Sequence, residues 1–283
     1  MKKLIVFLLV LSLVAAASAL AADYSDVFTK FDQRSSWTEA AAITFSDEGV
    51  LVNGSGVAVD GTTARITQPG TYMVTGSCAD GQLLVEVTKD EKVQLVLGGL
   101  SLSCSDSAPL YVLSADKVSL TLAPGSSNFF SDGAVYTRPF EKEPNACICA
   151  RDDLTINGSG ELKVEGNNNN GIGCKNDLKI VSGTVTVTAV KNALKGNDSV
   201  AIKDGIITLT AGKDGIKSDN EDEPGKGYVY VGGGTLDITA ADDALQGQQD
   251  VTVSGGSILV SVEGKTVNSK GTQDIAQGVI NRK

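Results

Sequence analysis

Four lysines recur in register: Lys191 with Lys195, then Lys213 with Lys217, each residue 22 positions after its counterpart. If segments of that length stack at the ~4.8 Å spacing of neighbouring strands, the four ammoniums meet on one face. Like charges that close repel unless an anion lies over them, so the pattern suits a polymer bearing carboxylates. Crowding also favours the neutral amine, and a neutral Lys217 or Lys195 could serve as a general base. The plainer alternative is a solvated face. Gln246 stands where the next segment would carry its lysine and extends the same line.

Oxygen ligands gather beside the lysines. Asn145, Asn170, Asn192, Asp214 and Asp243 share one position of the stacked segments, and Asp219, Asp222 and Asp242 lie close by in sequence. Such a set suits Ca²⁺, which takes six to eight oxygens. The alternative is a structural ladder of short polar side chains tying down turns. The asparagines are read as ladder. Asp214, Asp219, Asp222, Asp242 and Asp243 are the expected cation site, although no EF-hand or G-G-x-G-x-D repeat is present.

Composition removes competing chemistries. The 283 residues contain no His, which excludes Ser-His-Asp and Cys-His nucleophiles and imidazole metal sites. A net charge of −10 argues against a nucleic-acid partner, whose binding rests on many cationic phosphate contacts. With 5% aromatic residues and one Trp there is little material for a flat ring platform on neutral sugars. Tyr228 and Tyr230 have core-like strand spacing. The bias is toward a charged glycan.

The elements that must position these residues are repeats. Segments starting at Asp153, Asp177, Ser199, Tyr228 and Asp250 each read as a short alternating strand, a Gly turn, a second strand and a polar turn. The turn glycines Gly160, Gly183, Gly205, Gly234 and Gly256 are spaced by 23, 22, 29 and 22 residues. The long interval contains a seven-residue insertion, Glu221 to Gly227, so the period is about 22. That period with three short strands per repeat predicts an all-β, right-handed parallel β-helix, a solenoid with one coil per repeat. Weaker copies extend upstream, and Phe129 to Pro144 breaks the rhythm as a longer loop. The core column is expected to hold Cys147, Ile172, Leu194, Ile216 and Leu245.

Residues 1–21 read as a signal peptide: basic Lys2-Lys3, an apolar run from Leu4 to Val14 too short to span a bilayer, and small-x-small cleavage sites. The mature chain is then exported, to the extracellular space or periplasm, with no membrane anchor. Residues 22–42 read as a lead-in or cap with some helix-like spacing, and 43–283 as a single β-helix domain. An oxidising compartment suits disulfides. Cys78 with Cys104, and Cys149 with Cys174, are the candidate pairs, leaving Cys147 as a buried thiol; the alternative is that all five simply pack.

The ordered series of motifs, from PGTYMVTGSCADGQLLVEV through DGIKSDN to GYVYVGGGTLDITAADDALQGQQDVTVSGGSI, resembles a family of secreted bacterial carbohydrate-binding proteins. The resemblance covers residues 43–262. It implies a calcium-containing right-handed parallel β-helix that binds acidic plant polysaccharide (polygalacturonate) and is similar in fold to β-helix pectate lyases. It also implies that the Asp-rich turns at Asp214, Asp219, Asp242 and Asp243 hold the calcium.

The expectation is therefore a monomeric, non-catalytic module binding an acidic polysaccharide. Lys191, Lys195, Lys213, Lys217 and Gln246 would contact the glycan. One rival is a Ca²⁺-dependent polysaccharide lyase working by β-elimination with Lys217 or Lys195 as base. The other is a structural or adhesive surface solenoid.

Overall fold

The computed structural model describes residues 24, 26–38 and 41–283. The signal peptide expected at 1–21 lies outside the described residues. The chain is all-β, with no α-helix among the described residues. An 18-stranded and a 10-stranded sheet hold all the strands. Nearly all pairings are parallel. From Asp153 onward each circuit of the chain adds three strands, and each strand pairs with its counterpart one circuit later. Asp153–Gly158 pairs with Asp177–Ile180, Glu161–Gly166 with Thr184–Ala189, and Asn170–Cys174 with Leu194–Gly196. The 18-stranded sheet thus has two limbs, joined near its start by the long strand Lys92–Cys104, whose two halves pair into different limbs. This pairing is consistent with a β-helix.

Period-2 alternation turns one set of side chains inward along every strand. Ile148, Ile172, Leu194, Ile216, Leu245 and Val267 pair in succession along the ten-stranded sheet and, but for half-buried Val267, are fully enclosed. The column therefore passes through Ile148, not Cys147, and Asn170 pairs with Ala146, not Asn145. The upstream frame is off by one residue because the segment before Ala146 is a loop, so the count from earlier repeats does not carry through it. The turn glycine shifts similarly. Gly158, rather than Gly160, has positive φ, and a Cβ there would stand 2.2 Å from the Leu122 carbonyl oxygen.

The same alternation corrects the disulfides. Cys149 pairs with Gly173 and Cys174 with Ala150, so the two cysteines lie on opposite faces. Cys174 packs in the main core, while Cys149 joins Leu84, Ala108, Tyr111 and Ala146 in a cluster outside the sheet. Cys78 is opposite Leu102, two residues short of Cys104, a separation of about 8 Å from strand spacing and rise, beyond disulfide reach. All five cysteines are free thiols, and all are buried. Burial pushes the Cys104 and Cys149 thiols up to about 11.

Residues 24 and 26–38 hold turns and no helix, and they lie as a strap across the outer side of the first limb, the one that contains Asp153–Gly158 and Asp177–Ile180. Tyr24 stacks on Tyr230 with centroids 4.3 Å apart and tilts over Tyr228 at 5.3 Å. Tyr228 and Tyr230 therefore face outward, and the core positions of their strand belong to Val229 and Val231. The strap is fixed by Asp32, which is fully buried between Lys117 Nζ at 3.0 Å and Lys179 Nζ at 3.7 Å and accepts a 2.6 Å hydrogen bond from the Thr155 hydroxyl.

Candidate functional site

The outer side of the ten-stranded sheet collects the residues singled out by type and spacing. Gly173, Lys195, Lys217, Gln246 and Asn268 pair in order across Asn170–Cys174, Leu194–Gly196, Ile216–Ser218, Leu245–Gly247 and Val267–Ser269. Three-residue strands centred on one outward side chain explain the presentation: Leu194 and Gly196 face in, so Lys195 must face out. Alongside, Asn169, Lys191, Lys213 and Asp242 stack by backbone hydrogen bonds at the turn, Lys191 to Asn169 at 2.8 Å, Lys213 to Lys191 at 3.0 Å and Asp242 to Lys213 at 3.0 Å. Both expected columns are present.

The lysines are not a bare cationic patch. Lys195 Nζ lies 2.7 Å from Asp219 Oδ2, and Lys217 Nζ 3.2 Å from Asp214 Oδ2. Lys191 and Lys213 are exposed and are in no ion pair among the described residues. With Lys265, five ammoniums stand against the carboxylates of Asp214, Asp219, Asp242 and Asp243. The local balance is slightly positive in a chain of net charge −10. Asp219 Oδ1 and Gln246 Oε1 are buried acceptors with no hydrogen-bond partner among the described residues, and such atoms need a donor.

The ladder is also real. The Asn170 side-chain oxygen accepts from the Asn192 amide at 2.7 Å and its backbone N–H at 3.3 Å. Asn192 Oδ1 accepts from Asp214 N at 3.3 Å, Asp214 Oδ1 from Asp243 N at 3.3 Å and Asp243 Oδ1 from Lys265 N at 2.7 Å. Each side chain thus satisfies the backbone of the next coil, and Lys265, which offers no acceptor, ends the series.

The five expected cation ligands separate. Carboxylate oxygens of Asp214, Asp242 and Asp243 lie within 4.8 Å of one another. Asp219 instead binds Lys195, and exposed Asp222 belongs to the inserted corner loop, where its N–H donates to Asn220 Oδ1 at 3.1 Å. The remaining three fit a divalent ion only in part. Asp214 Oδ2 already faces Lys217, and Asp243 Oδ2 accepts from Asn268 Nδ2 at 2.6 Å. An ion here would share two carboxylates and draw further oxygens from water or ligand, since Ca²⁺ takes six to eight.

Sequence reasoning missed the pairing of Lys195 and Lys217 with carboxylates. The i, i+3 spacing of Asp214 and Lys217 was visible, but the Lys195–Asp219 bridge crosses between coils. It also missed the covering of the upper half of this sheet. Residues 133–145 fold over Leu84, Tyr111 and Cys149, and Phe140 meets Tyr111 edge-on at 5.1 Å. The open part of the face begins where that loop ends, at Gly173.

The chain matches the family described as carbohydrate-binding domain-containing protein over residues 60–281. A protein of that description from Acetivibrio thermocellus is 44% identical over 152 residues, and the chain spans about half of it, 53% of each. A solved structure described as a polysaccharide lyase-like protein from C. thermocellum, gadolinium derivative, superposes with a TM-score of 0.84 at 44% identity, covering 87% of this chain and 100% of that one. With a match across most of its length, the chain belongs to the family of carbohydrate-binding domain-containing proteins.

Proposed function

We propose that the protein is an exported, monomeric, right-handed parallel β-helix that binds an acidic, pectin-like polysaccharide along the open side of its ten-stranded sheet, without cleaving it. The observation that carries this is the outward line Lys195, Lys217, Gln246 and Asn268, one polar residue per coil at the ~4.8 Å strand repeat. Lys191 and Lys213 flank it. Ammoniums already aligned by carboxylates present donors at fixed positions, which lowers the ordering cost of binding. Asp219 and Gln246 offer acceptors for sugar hydroxyls. Ca²⁺ would be held by Asp214, Asp242 and Asp243, and when bound it would supply positive charge for the carboxylates of the glycan.

A lyase needs a lysine that points a lone pair at a substrate proton. Lys195 and Lys217 instead aim their nitrogens into carboxylates at 2.7 and 3.2 Å, an arrangement suited to recognition. The deciding experiment puts the mature protein with polygalacturonate, with and without Ca²⁺, and follows affinity and unsaturated-product absorbance together. Binding that weakens at least tenfold in Lys195→Gln/Lys217→Gln, with no product formed, is the expected result. Accumulating product, or unchanged affinity in the double variant, overturns it. Affinity indifferent to a chelator removes the calcium.

A further inference from the structure

The same sheet carries a second polar groove at its other end, walled on one side by the covering loop. It has a volume of about 350 Å³, within the range of small-ligand sites. Arg65 and Arg138 line it together with Asp60, Thr63, Pro139 and Phe140. Arg65 belongs to the outward line already described: it pairs with Leu84, which pairs with Tyr111, then Cys149 and Gly173. Arg65 and Lys217 are six strand steps apart, about 29 Å at the usual spacing.

Both guanidiniums are held from behind. Arg138 donates to Gln82 Oε1 at 3.1 Å and pairs with Asp106 at 2.9 Å. Gln82 is itself buried and donates to the Ala108 carbonyl at 2.7 Å. The backbone N–H groups of Thr137 and Arg138 both donate to the Asp106 carbonyl, at 2.9 and 3.2 Å, so the loop is fixed where Arg138 leaves it. Arg65 pairs with Glu86. A guanidinium has five N–H donors. Among the described residues these contacts use two on Arg138 and one on Arg65, and the side chains remain 30% and 39% exposed. The remaining donors are available to a planar anion. Phe140 and Pro139 add an apolar wall, and Asp60 and Thr63 add hydroxyl partners.

We infer that this groove is a second saccharide site, taking a uronic-acid residue with its carboxylate on Arg65 and Arg138, its C–H face on Phe140 and its hydroxyls toward Asp60 and Thr63. The inference rests on the glycan-binding reading but uses none of its lysines. A short carboxylated chain would occupy the two sites independently, whereas a long one would bridge them.

Calorimetry with trigalacturonate tests both sites at once. The wild type is expected to bind two molecules per chain, and Arg65→Gln/Arg138→Gln and Lys195→Gln/Lys217→Gln one each. The carboxyl-reduced trisaccharide should bind the arginine groove ten- to a hundredfold more weakly, as loss of charged hydrogen bonds implies. Arg65→Lys/Arg138→Lys, which keeps charge and fold but loses the planar fork, should also weaken it. Stoichiometry unchanged by the arginine variants overturns the groove and leaves the lysine face standing. Stoichiometry changed by the arginine variants alone overturns the lysine face and leaves the groove. No binding by the wild type overturns both.

Discussion

Two outer faces of this molecule use the same ingredients and end differently. On the first limb, Lys117 and Lys179 meet Asp32 beneath the strap, and all three are at most 6% exposed. On the ten-stranded sheet, Lys217 and Lys195 meet Asp214 and Asp219, with the lysine side chains 16% and 25% exposed. Coverage separates them. A buried pair is worth little against a well-packed apolar replacement, yet losing one partner leaves an uncompensated charge. A half-open pair contributes roughly 0–1 kcal/mol and stays available to a ligand. The aromatic residues divide the same way: Tyr228 and Tyr230 face outward but are spent on Tyr24.

Removing the buried partner should show the contrast at its largest. Asp32→Ala leaves Lys117 and Lys179 with one carboxylate each, Asp153 at 3.3 Å and Asp177 at 3.4 Å, and also drops the Thr155 and Thr29 hydrogen bonds, for an expected loss of about 2–4 kcal/mol. Chemical denaturation reads it. A cost below ~1 kcal/mol for Asp32→Ala would put the two faces on equal terms.

Acid should separate the same groups. Burial pushes the Asp32 carboxyl up, but the Thr155 hydroxyl and the Lys179 and Lys117 ammoniums outweigh it and hold it below the ordinary carboxylate range. Its contribution is present above that range and is lost as pH falls through its folded value. Asp153 and Asp132 are pushed up by burial, Asp153 further by Asp177. They bind protons more readily folded than unfolded, so stability rises as pH falls from neutrality through their folded values. The expected profile has a maximum on the acid side of neutrality, then a fall. In Asp32→Ala the rise toward that maximum should remain, while the part of the acid-side fall due to Asp32 should be missing. A wild-type profile that falls steadily from pH 7 downward contradicts this.

The ladder lies between the extremes. Asn192→Ala removes the acceptor for Asp214 N and the donor to Asn170, leaving buried polar groups unmatched at about 1–3 kcal/mol. Hydrogen exchange should show the opening confined to the coils flanking Asn192. On the open face, Lys195→Gln, which parts a pair open on both sides, should cost less than ~1 kcal/mol in denaturant while weakening glycan binding, which is the contrast in one variant.

How much of this was legible follows from where the repeat holds frame. From Asn170 onward, a strict period puts Lys195 opposite Lys217 and Gln246, and the outward lines could be read from spacing alone. Upstream of Ala146 the loop at 133–145 breaks the count, which is why spacing points to Cys147 where the core column holds Ile148. The strap belongs to no repeat, so nothing in its pattern connects Asp32 to Lys117 and Lys179, far along the chain. Side-chain reach across coils, as in Lys195 to Asp219, is likewise invisible to a periodicity.

The cysteines give the smallest expected effect and the sharpest check on that frame. A one-residue error turns every side chain to the other face of a strand, and it is this error that would place Cys149 beside Cys174. With Cys149 opposite Gly173 and Cys174 opposite Ala150, reductant should leave the melting temperature unchanged. Each disulfide closing a loop of this kind would have contributed about 2–4 kcal/mol, a shift of roughly 4–16 °C by the scaling for chains of about 150–250 residues and somewhat less for a longer chain. Burial also keeps the thiols protonated, pushing Cys149 up to about 11 and Cys174 well above the ordinary thiol range, so they should react with a thiol reagent only after unfolding. A melting point that falls in reductant would mean the frame slips at Ala146–Ala150, and with it the placement of Gly173 at the head of the open face.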